Sequence, residues 1–81
     1  MPTDKLSLEE EVKKGIKLFE TNKLEDSIKL FNKLREYKET EIFSTFFLGI
    51  IQIKKKQLNL AKDFFFKVLA LYIFLINAAK K

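Results

Sequence analysis

Eighty-one residues, 47% hydrophobic and 33% charged, suit one small folded domain and are too apolar for an unfolded chain. There is no Cys and no His, which excludes disulfides, thiolate and imidazole metal sites and the commonest general base together. The net charge of +5 is uneven: residues 1–41 carry nine basic and ten acidic side chains (net −1), and residues 42–81 carry seven and one (net +6).

That asymmetry is a pattern some nucleic-acid and lipid surfaces share. Fifteen of the sixteen basic residues are Lys, however, and bidentate phosphate and base recognition favours Arg. Nucleic acid is therefore disfavoured, and the Lys residues read as keeping an apolar second half in solution. The opening stretch MPTDKLSLEEE has neither a basic nor an apolar secretory region. With the missing Cys, this makes the cytoplasm the expected location.

The single Pro is Pro2 and the two Gly are Gly15 and Gly49, so the chain reads as helix almost throughout. Ser7 with Glu10 three residues on forms a capping box, and a first helix is expected over about residues 8–21. Leu8, Val12, Gly15, Ile16 and Phe19 share one face of it. A mid-helix Gly costs about 1 kcal/mol against Ala, so Gly15 implies a close neighbour. Asn22 is the candidate left-handed residue of the following turn.

The second helix is expected over about 24–38, with Leu24, Ser27, Ile28, Phe31 and Leu34 on its face and Thr40 capping the next element. The third, about 41–55, is apolar on almost every side, with only Ser44, Thr45, Gly49 and Gln52 as gaps. Such a helix is expected to be buried all round. The fourth starts near Leu58 and has no visible stop. Its uncharged run from Val68 to Ala79 is too short to cross a bilayer, which needs about 20 residues.

Two of these segments are one pattern written twice. GIKLFETNKLEDSIKLFNKL from Gly15 returns as GIIQIKKKQLNLAKDFFFKV from Gly49, with Gly15 on Gly49, Ser27 on Ala61 and Phe31 on Phe65, all at an offset of 34. A fixed period of this size signals a repeat architecture. The chain resembles the tetratricopeptide repeat family over about residues 8–75, as units 8–41 and 42–75 with 76–81 as an extension. The packing residues that carry the resemblance are Gly15, Ser27, Phe31, Gly49, Ala61 and Phe65.

The resemblance implies an all-α fold: two antiparallel helical hairpins stacked as a short right-handed α-solenoid, in one domain. The family's aromatic positions in the first helix of each unit are Glu11 and Leu18, then Thr45 and Gln52. The Pro that ends each unit is replaced by Glu39 and Ile73, which predicts a fourth helix running past its usual end. The positions with which some relatives clamp a carboxylate are Val12, Ile16 and Phe47, and none can bind one.

The family's groove falls on Val12, Ile16, Phe19, Phe43, Phe46, Phe47, Ile50 and Ile53, which would dock an apolar helix or extended segment of another protein. Part of this set, Phe46 and Ile50 included, serves the core equally well on the sequence alone. The fourth helix has one neighbour for an apolar surface that spreads right round it. Phe66, Leu69, Tyr72, Ile73 and Ile76 are therefore expected to meet a partner, a second copy of the chain or, less favoured, a membrane surface. No enzyme activity, cofactor or metal is expected, because the inventory offers no nucleophile–base pair, phosphate loop or ligand cluster.

Overall fold

The computed structural model describes residues 5–79 and is built of four α-helices: α1 (Lys5–Glu20), α2 (Leu24–Leu34), α3 (Glu41–Lys54) and α4 (Leu58–Ala79). The order of contact is α1 on α2, α2 on α3 and α3 on α4. Short turns join α1 to α2 and α3 to α4, so each pair forms a hairpin.

The two hairpin turns repeat atom for atom in their backbone bonding. Asn22 and Lys56 have positive φ of 65° and 63°. Lys23 N–H donates to Leu18 O, and Gln57 N–H to Gln52 O, both at 2.8 Å; the N–H groups of Asn22 and Lys56 donate to Phe19 O and Ile53 O. This is the Schellman arrangement, in which a left-handed residue turns the chain and serves the helix's last carbonyls. Asn22 holds the expected conformation, and Lys56 holds it too despite its side chain.

Each glycine lies under a phenyl ring. A Cβ built on Gly15 would stand 2.7 Å from Phe31 Cε2, and one on Gly49 would stand 2.6 Å from Phe65 Cε1. Ser27 adds a buried bond, its Oγ donating to Gly15 O at 2.9 Å. The close approach inferred at these glycines is thus made by the aromatic ring of the following helix. The core is Leu8, Phe31, Leu34, Phe47, Leu48 and Ile51, drawn from the first three helices.

Two boundaries differ from expectation. Ser7 lies inside α1, not at its cap, because the helix that seats the buried Leu8 is already formed at Lys5. The second helix stops at Leu34, four residues early. Glu36 and Tyr37 N–H bond back to Lys33 and Leu34 O, and Thr40 Oγ1 donates to Leu34 O at 2.6 Å. Thr40 does occupy the N-cap position of α3, but its hydroxyl makes no capping bond there. The fourth helix runs on to Ala79, as the missing Pro predicts.

The third helix corrects a larger expectation. Its buried side chains are Ser44, Thr45, Phe47, Leu48, Ile51 and Gln52, while Phe43, Phe46 and Ile53 are 40%, 42% and 48% exposed. The polar gaps point inward and much of the apolar bulk points outward. The inner face mixes Ser44, Thr45, Gly49 and Gln52 with the larger Phe47, Leu48 and Ile51, and its small side chains let α3 lie close to its neighbours. Thr45 satisfies its hydroxyl locally, donating to Glu41 O at 2.8 Å. Ser44 Oγ is buried without a hydrogen-bond partner among the protein atoms.

Candidate interaction surfaces

On α1, Val12, Ile16 and Phe19 recur at i, i+4 and i+7 and are half-buried. On α3, Phe43, Phe46, Ile50 and Ile53 recur at i, i+3, i+7 and i+10, which is one continuous stripe. Of these, Ile50 is half-buried and the other three are exposed. Phe47 is the exception among the expected groove residues. It lies in the core, 4.7 Å from the Phe31 ring and 5.1 Å from Phe19, which meets it edge-on. Phe47 therefore joins the two hairpins and leaves the surface to its neighbours. Lys54 Nζ stands 4.9 Å from the Phe19 ring centroid and puts a cation at that end of the stripe.

The second surface is α4. Its buried residues are Ala61 and Val68 alone. Phe66, Leu69, Tyr72, Ile73 and Ile76 are all exposed, as are Phe74 and Leu75. A helix of this composition normally has most of that area covered.

Between the two surfaces lies a pocket of about 320 Å³ lined by Ile42, Phe43, Phe46, Val68 and Tyr72. A second, of about 240 Å³, lies on the other side of Ile42, among Lys38, Glu41, Leu71, Phe74 and Leu75. Ile42 and Val68 were not singled out by sequence as surface residues. The repeat could have found them, since they are the 34-residue images of Leu8 and Leu34.

The packing residues divide by unit. Gly15, Ser27 and Phe31 are buried, and so are Gly49 and Ala61, but Phe65 is only half-buried. Phe31 is sealed by Phe43 and Phe47 from α3. Phe65 has Phe46 at 5.7 Å, and none of the described helices seals it from the other side.

No helix among the described residues is long and apolar enough to cross a membrane. No group of three or more acidic side chains that could hold a metal ion is gathered there. Comparison with protein-family models, curated proteins and solved structures finds no match to this chain.

Proposed function

We propose that this chain is a tetratricopeptide-like interaction module: two hairpins, about 8–41 and 42–75, stacked as a short right-handed α-solenoid. It docks an apolar helix or extended segment of another polypeptide along the stripes of α1 and α3. The observation that carries this reading is the exposed apolar face of α3. A helix that buries Ser44, Thr45 and Gln52 while exposing Phe43, Phe46 and Ile53 presents its large apolar side chains to an outside occupant. Each such side chain contributes about 1.5–3 kcal/mol when covered. No catalytic role, cofactor or nucleic acid enters the reading, and its setting is cytoplasmic.

The test is selection from a displayed library of random 16-residue peptides, followed by titration of the selected peptides. The expected result is peptides with large apolar residues at helical spacing that lose affinity at least about tenfold against Ile16→Glu or Ile53→Glu. Selected peptides indifferent to both substitutions would overturn the assignment of the groove.

A further inference from the structure

We infer that a second copy of this chain covers the open face of α4, in a twofold-symmetric pair whose axis passes near Tyr72. The inference rests on the repeat reading above but not on the groove's having a peptide ligand.

The internal repeat identifies what is missing. A shift of 34 carries Leu8, Glu9, Val12, Leu34 and Lys38 onto Ile42, Phe43, Phe46, Val68 and Tyr72. The second set lines the 320 Å³ pocket. In the first set, Leu8 and Leu34 are buried with Phe47 of α3 in the core, and Val12 packs against them. The pocket is therefore the socket that α3 fills in the first unit, left open in the second. Its natural occupant is an apolar helix that lies across the hairpin and inserts a large side chain.

The chain supplies such a helix from one place. Head-to-tail stacking would bring α1 of another copy onto the socket. But α1 carries Glu9 and Lys13 where α3 carries Phe43 and Phe47, and both are exposed. That end of the molecule is already polar and would place charges in an apolar socket. The stripe of α3 lines the groove assigned above to another polypeptide, which leaves α4, exposed from Phe66 to Ile76, as the unpartnered apolar helix. Pairing α4 with α4 is isologous, so the contact closes on itself and does not propagate into a filament.

Charge and area agree with this. No charged residue occurs from Val68 to Ala79, so two such stretches meet without like-charge contact. With the helices antiparallel and crossing at Tyr72, Lys67 of each copy faces the last turn of the other. Unpaired carbonyls make that turn negative. Phe66, Leu69, Tyr72, Ile73 and Ile76 are each 52–60% exposed. Taking about 200 Å² for a large side chain, the five remove roughly 1,100 Å² from water over both copies, above the ~1,000 Å² of a specific interface.

Light scattering on the purified 81-residue chain should give twice the monomer mass of 9.6 kDa. Since the sequence has no Cys, a single introduced thiol reports proximity without competition. Tyr72→Cys should oxidise to a covalent dimer, and Lys13→Cys should not. The double variant Ile73→Glu/Ile76→Glu should be a monomer with native helicity, since both side chains are exposed. Should that variant fail to fold, the thiol pair still decides. A native chain that is monomeric at millimolar concentration overturns the inference. So does equal cross-linking at positions 13 and 72, or dimerisation that persists in the folded glutamate variant. Partition of the chain onto phosphatidylglycerol vesicles in place of dimer formation overturns it as well, in favour of a lipid surface. The groove shares Phe43 and Phe46 with the socket but not Ile53, so Ile53→Glu should weaken peptide binding at least about tenfold and leave the dimer intact.

Discussion

Gly15 and Gly49 lie under equivalent phenyl rings, but those rings differ in their freedom to move. Phe31 is fully buried between α1 and α3, whereas Phe65 borders the open side of α4. Gly15→Ala sets a methyl against a ring that cannot retreat. Overpacking of about 1–3 kcal/mol then outweighs the roughly 1 kcal/mol that Ala adds to a helix. At Gly49 the ring can tilt away and the two terms nearly cancel. Thermal unfolding by circular dichroism should show a clear drop for Gly15→Ala and little change for Gly49→Ala. Equal drops would mean that ring mobility does not decide the cost. Lys56 invites the opposite change. A non-glycine residue in the left-handed region costs about 1 kcal/mol, and loss of one Lys at a helix end costs a few tenths, roughly. Lys56→Gly should therefore stabilise by about 0.5 kcal/mol, measured by urea denaturation, and a loss of stability would contradict the strain assigned to that turn.

At the scale of the element, α3 is where reading from sequence and reading from structure part. Hydrophobic pattern places apolar residues inward, and on α3 it has almost no contrast to work with. Close helix packing decides instead, and it buries Ser44, Thr45 and Gly49 beside Phe47, Leu48 and Ile51. Ser44 bears the cost, and Ser44→Ala should raise stability by about 1 kcal/mol by removing an unpaired buried hydroxyl and improving helix propensity. A fall in melting temperature would show that the hydroxyl has a partner. The 34-residue period, by contrast, was legible because Gly, Ser or Ala, and Phe recur in register and the packing needs each of them. The left-handed turn at Lys56 was hidden by its residue type, though the image of Asn22 falls on it. Phe47 is put in the groove by the family's groove pattern. Its true role, joining α1 and α2 to α3, depends on the rotation of α3 that the pattern could not give.

Across the whole molecule, the two ends are unlike. The outward side of α1 is largely polar, with Glu9, Glu10, Lys13, Lys14 and Lys17 exposed, whereas α4 carries an uncovered apolar surface along about 15 Å of helix between Phe66 and Ile76. A domain has about 5–15 kcal/mol of stability in total, so exposed area on this scale is a substantial fraction of what holds it together. Ion pairs do not compensate: the Lys55–Glu25 bridge at 2.6 Å is solvent-exposed at Glu25 and contributes little. The helix α4 should therefore be fully ordered only when its open face is covered. Amide hydrogen exchange read by mass spectrometry at several protein concentrations tests this most directly. Protection over residues 66–79 should rise with concentration, through the range in which dimers form, while protection over α1 stays constant. Exchange over 66–79 that is independent of concentration would contradict the claim that another chain completes this end of the fold.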